Sequence, residues 1–271
     1  MPLSSAANWG QISASATTHG CYVAFGHNER VVTPMRRWFD RQKFLTTPSG
    51  ILVNPSYFIR RGLHKALRQH ACRMHGSVLD FGCGSKPYRS LFSAADRYVG
   101  VDLEVSGHDH GTSVVDVFYD GKTLPFEAAT FDHVVALEVF EHVFNLIEIL
   151  AELRRVMKPG GSLLISSPFA WPEHEQPYDF ARYTSFGIVH ILEHAGFEIQ
   201  SVDKTTSDVR AMGQLAVNYV GDMLVPRLGF AGKILRAVAT IPLNLVIALV
   251  DVVLPAPGHL YGGLVVRART F

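Results

Sequence analysis

Cysteine is scarce in this chain of 271 residues: Cys21, Cys72 and Cys83 are odd in number and far apart. Such a set supports neither a disulfide framework nor a zinc pattern, so a reducing, cytoplasmic setting is expected. Net charge is equally sparse. Twenty-five Lys and Arg against 24 Asp and Glu leave a formal +1, which removes the global argument for nucleic acid as a partner. The opening MPLSSAANWGQISASATTHG has no charged segment followed by an apolar one, so no secretory signal is expected, and residues 1–32 read as a flexible tail. Long apolar runs are missing as well. The longest uncharged stretch near the C-terminus, Ala237 to Val250, has 14 residues and includes Pro242 and Asn244, against the roughly 20 that a bilayer span needs. Helices packed on the protein are expected there. No internal repeat or low-complexity linker interrupts the chain.

What is present is 48% hydrophobic sequence, enough for a sizeable core. Thr33 to Leu45 mixes basic and aromatic residues at helical spacing, and Asn54-Pro55 reads as a cap and first turn for a helix through SYFIRRGLHKALRQHA. Strands then follow in SVLDFG, RYVGVDLE, TSVVDV, FDHVVALEV and GSLLISSP. Before the fifth, NLIEILAELRRVMKPGG places Leu146, Ile149, Leu150, Leu153 and Met157 on one helical face and stops at Pro159-Gly160-Gly161. TSFGIVHILEHAGFEIQSVDK reads as helix, glycine stop and sixth strand, and GGLVVRARTF as an edge strand. Strand–helix alternation implies a mostly parallel sheet covered on both faces, with ligands at the carboxyl ends of the strands. The expected organisation is a helical addition over 33–75, a core over 76–204, a helical insertion over 205–260 and a last core strand over 261–271.

The stretch VLDFGCGSKPY, Val78 to Tyr88, sets the ligand question. Two glycines follow a strand, but the third glycine of a dinucleotide fingerprint is replaced by Pro87, and Asp80 would repel a pyrophosphate. No Gly-Lys-Ser/Thr follows, which excludes a P-loop. An acidic strand end beside bare backbone suits a cationic ligand without phosphate, as S-adenosylmethionine is. Asp102, about 20 residues on, is placed for both ribose hydroxyls. Asp116 could accept from an adenine amino group while the Val117 amide meets a ring nitrogen. Cys83, between the glycines, reads as a small residue suited to a tight turn rather than as a reactive thiol.

These residues resemble the class I S-adenosylmethionine-dependent methyltransferases, in the branch of the ubiquinone and menaquinone biosynthesis enzymes. The resemblance rests on VLDFGCGSKPY, YVGVDLE, LPFEAATFDHVVALEVFEHV and ELRRVMKPGGSLLISSP in that order, and covers Ser77 to Lys204. It implies a Rossmann-like α/β fold, doubly wound, with seven strands of which the last is antiparallel. It also implies cofactor contacts at Asp80, Gly82, Gly84, Asp102, Leu103, Asp116 and Glu138.

Two segments hold the remaining chemistry. ALEVFEHV puts Glu138 and His142 four residues apart on one helical turn, near the transferring methyl, with an N-terminal helix cap at Glu141 and His142 as the competing reading. SPFAWPEHEQPYDFARYTS, after the fifth strand, resembles the substrate wall of related methyltransferases, with Phe169, Trp171, Tyr178, Arg182 and Tyr183 as acceptor-binding candidates. An Asp179–Arg182 ion pair that only holds the loop is the competing reading. His174 or His142 is the candidate base. Phe140, Phe169, Trp171 and Tyr178 could make the methyl's surroundings aromatic and dry. His108, Asp109 and His110 are too local for a metal site and read as a solvated turn, so no metal is expected. The expected acceptor is a small molecule, a sugar or a lipid-like compound. The apolar insertion is open to three roles: a lid lined by Met212, Met223, Leu224 and Phe230, a homodimer interface, or a contact with a membrane surface. A non-catalytic module that binds the cofactor, and a dinucleotide oxidoreductase, are the rival readings.

Overall fold

The computed structural model describes residues 35, 38, 42–103, 114–255 and 257–271. Residues 1–32, Cys21, most of the expected first helix and the His108–His110 group lie outside them. Pro34–Phe271 is one compact unit.

The first long helix, α1 (Tyr57–Ala71), buries Ile59, Leu63, Leu67 and Ala71, a stripe at four-residue spacing. It starts two residues later than Asn54-Pro55 predicts. Asn54 Oδ1 accepts the Ser56 N–H at 2.8 Å, while Asn54 Nδ2 donates to the Gln42 carbonyl. The asparagine therefore closes a turn ahead of the helix.

The strands are β1 (Gly76–Phe81), β2 (Ala95–Leu103), β3 (Val117–Tyr119), β4 (Phe131–Leu137), β5 (Met157–Pro168), β6 (Phe197–Ser207) and β7 (Tyr261–Thr270). They form one sheet in the order β3-β2-β1-β4-β5-β7-β6. Only β7 is antiparallel to its neighbours. Leu79, Val134, Leu163 and Val266 point to one face, against α2 (Leu146–Val156) and α3 (Ser185–His194). Val78, Val135, Leu164 and Val265 point to the other, against Leu63 and Leu67 of α1. Both faces are dry, as a doubly wound sheet requires.

Three expectations are corrected. GGLVVRARTF is not an edge strand: it lies between β5 and β6, because Leu264, Val265 and Val266 are apolar on both faces and need a neighbour on each side. The third strand begins only at Val117, since the Asp116 side chain turns back onto Gly100 and Lys86. Between β1 and β2 the helical alternation gives way to a three-residue turn of 3-10 helix, Arg89–Leu91, just after Pro87.

The segment after β6 is helical from Val209 to Val253 (α4), broken at Gly229 with φ 52° and ψ −123°. Its two arms fold back on each other: Arg210 pairs with Asp251, and Gly213 lies against Ile247. The window Ile234–Val253 has 20 residues and mean hydropathy 1.8, long and apolar enough by length and composition to cross a membrane. The 14-residue count missed it by stopping at Arg236 and Asp251. Buried polar bonds seat the hairpin on the N-terminal end of α1: Gln214 Nε2 donates to the Pro55 carbonyl at 2.7 Å and Asn244 Nδ2 to the Ile51 carbonyl at 2.9 Å.

Candidate active site

β1 and β2 run in register, Asp80 beside Gly100 and Phe81 beside Val101, and the chain then turns at Gly82 (φ 68°) and Gly84 (φ 47°). A Cβ on Gly82 would meet Val139 Cγ1 at 2.6 Å, so packing demands glycine there. Among the described residues nothing lies within 4 Å of a Cβ placed at Gly84, where the backbone is bare. Asp102 is fixed beside that backbone, accepting from the Gly84 N–H and the Leu103 N–H at 2.8 Å each. Asp80 is 5% exposed and accepts from the Tyr98 hydroxyl at 2.7 Å. Burial raises its pKa to about 7, outweighing the opposing pull of Tyr98 and Lys86. Asp116 Oδ2 accepts from Lys86 Nζ at 2.5 Å and from the Gly100 N–H at 2.7 Å. Burial works against ionisation there, yet these donors hold the carboxyl below its usual range.

A second group forms where β4 ends. Glu138 has φ 59°, and its N–H and carboxylate both engage Ser166, whose hydroxyl donates to Glu138 Oε1 at 2.8 Å. A non-glycine residue in the left-handed region is strained, a feature that concentrates at functional sites. The 3-10 turn Phe140–His142 follows. Glu141 is fully buried and neither carboxylate oxygen has a hydrogen-bond partner; burial, and then the charge of Glu138, push its pKa well above the ordinary carboxylate value. His142 Nδ1 meets the Tyr178 carbonyl at 2.9 Å. A carbonyl only accepts, so the ring proton sits on Nδ1 and the lone pair on Nε2.

The loop after β5 wraps onto this turn, its Phe180 N–H donating to the Glu141 carbonyl at 2.8 Å. His174 lies 4.8 Å from His142, ring centre to ring centre. Arg182 grips Asp179 through two nitrogens, at 2.5 and 2.6 Å, and also donates to the carbonyls of Trp171, Pro172 and Ala181. That clamp holds the Asp179 carboxyl at a depressed pKa of about 2, the Arg182 bonds being the largest cause.

Asp80, Gly82, Gly84, Asp102 and Leu103 thus come together at one turn, with Asp116 and Val117 at its rim. Glu138, His142 and His174 form the neighbouring group. Other candidates are placed differently. Arg182 spends its donors on the loop, as the ion-pair reading has it. The Tyr183 hydroxyl is directed at the Phe140 carbonyl at 3.5 Å, and Phe140 is fully buried in the core rather than lining a pocket. Phe169 stacks on Tyr261 at 4.6 Å. Trp171 is half-buried and Tyr178 exposed. Cys83 is buried, and burial raises its thiol pKa, which leaves it an inert filler of the turn. Sequence reasoning missed Lys86, Tyr98 and Arg60. Lys86 stands in the quoted motif and could have been questioned there. Arg60 carries no sequence signal; it donates to the Tyr88 hydroxyl at 3.0 Å and lies in electrostatic reach of Glu138.

Comparison with known proteins bears on this arrangement. A family model described as "Methyltransferase domain" matches residues 54–202. The chain is 29% identical over 164 residues to a "Probable S-adenosylmethionine-dependent methyltransferase" of Mycolicibacterium smegmatis, covering 55% of this chain and 62% of that one. It is 29% identical over 176 residues to the human mitochondrial ubiquinone biosynthesis O-methyltransferase, covering 59% and 47%. It therefore spans about half to three-fifths of the length of these relatives. Among solved structures, the [4+2]-cyclase SpnF shares the fold at a TM-score of 0.51 and 18% identity, over 76% of this chain and 79% of that one. The residues also fit the cofactor: bare backbone at Gly84 stands beside the Asp102 carboxylate that accepts its N–H, with the buried Asp80 carboxylate two residues before Gly82 in the same turn, a set that suits hydroxyl and ammonium groups. With more than half of its length matched, this chain belongs to the methyltransferase domain family, whose cofactor is S-adenosylmethionine.

Proposed function

We propose that this protein transfers a methyl group from S-adenosylmethionine to a lipid-like acceptor that it meets at a membrane surface, in the cytoplasm. Asp80, Gly82, Gly84, Asp102 and Leu103 hold the cofactor, and Glu138 stands between it and the acceptor. When bound, S-adenosylmethionine supplies a methyl group on a cationic sulfur. The chain's contribution is then mostly positioning, since an in-line approach removes much of the barrier. A hydroxyl acceptor must also lose a proton, and His142 Nε2 and the His174 ring are the groups placed to receive it.

The observation that carries the acceptor class is the outer face of the α4 hairpin. Leu249, Val252 and Val253 are 67%, 83% and 74% exposed. The hairpin leaves β6 at its carboxyl end, and β6 runs parallel to β5 because both pair antiparallel with β7. The apolar face therefore stands at the edge of the sheet that carries the glycine turn, where a large exposed patch marks an interaction surface. The named substrate class of the human relative, ubiquinone biosynthesis, is consistent with it.

Turnover tests the reading. Labelled S-adenosylmethionine and an extract of membrane lipids should yield labelled lipid, and the protein should sediment with vesicles. Labelling of only sugars or soluble metabolites overturns the acceptor class. Cofactor binding with no turnover on any class favours a binding module, and vesicle-free dimers in solution assign the hairpin to a second copy of the chain.

A further inference from the structure

Glu141 is an electrostatic anomaly: a fully buried carboxylate with no hydrogen bond to either oxygen. Burial of such a group is costly unless a cation or a donor compensates it. The nearby Arg182 guanidinium offsets part of that cost by its charge but donates no hydrogen bond, being committed to Asp179 and to backbone carbonyls.

Two imidazoles converge on the same point. His142 Nε2 is also buried without a hydrogen-bond partner, 3.8 Å from Glu141 Oε1. One donor atom from each of Glu141, His142 and His174 lies within 4.8 Å of the others. Adjacent ligands of a tetrahedral ion at bonds of about 2.1 Å stand about 3.4 Å apart, so side-chain shifts of about 1 Å close the group. The outer contacts suit that purpose. The Tyr178 carbonyl holds the proton on His142 Nδ1, and the Asp179 carboxylate is 3.3 Å from His174 Nδ1, with Arg182 Nη2 on the same nitrogen at 3.4 Å. For His142 a carbonyl partner of this kind selects the tautomer whose Nε2 faces a metal; at His174 the Arg182 N–H can only donate, so the ring must exchange that bond for the Asp179 carboxylate before its Nε2 can ligate.

We propose that Glu141, His142 and His174 form a binding site for a divalent first-row transition-metal ion, zinc by ligand type, with an open position toward the acceptor. Two imidazoles and one carboxylate are a donor set that suits such ions and leaves room for a further ligand. Glu175, 3.6 Å from His142 Nε2, is the next oxygen in reach. The ion would bind an acceptor hydroxyl and favour loss of its proton to solvent water; in the ion-loaded protein both histidines would be ligands, and only in the ion-free protein would either take that proton directly. That catalytic role rests on the methyl-transfer reading; the site itself does not.

The test uses the full chain, stripped with a chelator and reloaded with Zn²⁺, counted by mass spectrometry, or with Co²⁺, followed by visible absorption. About one ion per chain and the intense bands of low-coordinate cobalt are expected. His174→Ala, on the surface loop, and His142→Ala should each weaken binding at least about tenfold, while affinity for S-adenosylmethionine stays unchanged. Glu141→Gln should do the same, and Cys72→Ser should bind as the parent does. No ion retained by the parent protein, or binding undiminished in the His142→Ala/His174→Ala double variant, overturns the site. Zinc binding without methyl transfer keeps the site and removes the reading of activity. Methyl transfer at full rate by protein that takes up no zinc does the reverse.

Discussion

Asp80 is a buried acid whose pKa of about 7 is set by burial ahead of its bond to Tyr98. A cation in the cleft needs it ionised. Affinity for S-adenosylmethionine should therefore rise with pH and be about tenfold weaker at pH 6 than at pH 8. Calorimetry across that range checks it, and a flat profile removes Asp80 from the cofactor contacts. The two glycines separate in another way. Gly82→Ala meets Val139 as well as an unfavourable φ, and should cost about 1–3 kcal/mol of folding stability, whereas Gly84→Ala, which meets nothing among the described residues, should cost about 1 kcal/mol or less. Denaturant titration measures both. Asp80, Gly82, Gly84 and Asp102 were legible in the sequence because each ends or follows a strand whose apolar run marks it. Lys86 on Asp116 and Arg60 near Glu138 were not, since those contacts join residues 30 or more positions apart that only folding brings together.

The β5 loop and the α4 hairpin are the elements that distinguish this chain. In the loop, Arg182 is a fork bonded to a fork, a geometry that lysine cannot copy. Arg182→Lys should leave the fold intact yet raise hydrogen exchange across residues 171–183, with protection unchanged in β1 and β4; equal protection to the parent would mean that the clamp does not hold the loop. In the hairpin, Asn244 bonds the carbonyls of Ile51 and Asn54 from a fully buried position. Asn244→Ala should destabilise the protein by about 1–3 kcal/mol, read by thermal or chemical melting. On the outer face the expectation differs: Leu249→Lys with Val252→Lys should abolish vesicle binding and leave the melting temperature and cofactor affinity alone. Sequence reading marked both segments, the loop by its prolines and its polar and aromatic composition and the hairpin by its apolar helical pattern. It did not reveal that Gly229 folds the helix back on itself, because one backbone angle at one glycine makes that turn.

For the molecule as a whole, stability should depend on pH in two opposed ways. Asp132 accepts from Lys158 and from Ser77, bonds that hold its pKa below the ordinary carboxylate value. A depressed folded pKa contributes stability that is present above the unfolded value and lost as pH falls through the folded one. Asp80 is the reverse. Its folded pKa is raised, so between about pH 4 and pH 7 the native state holds a proton that the unfolded chain has released, and stability declines as pH rises through that window. Melting temperatures from pH 3 to pH 9 should pass through a maximum on the acid side of neutrality, and Asp80→Asn should flatten the decline above it.

The sequence by itself determined the class of the sheet, the glycine turn and its acidic partners, and the polar, aromatic loop after β5. Those features are local, since strand and helix periods and turn residues are written within a few positions of one another. Only the tertiary structure decided that β7 inserts between β5 and β6, that Arg182 and Tyr183 turn inward, and that Glu141, His142 and His174 meet around a fully buried carboxylate. Strand order and the convergence of distant side chains follow from which apolar faces can be covered at once, and that is settled by the packing of the whole chain rather than by any one stretch of it.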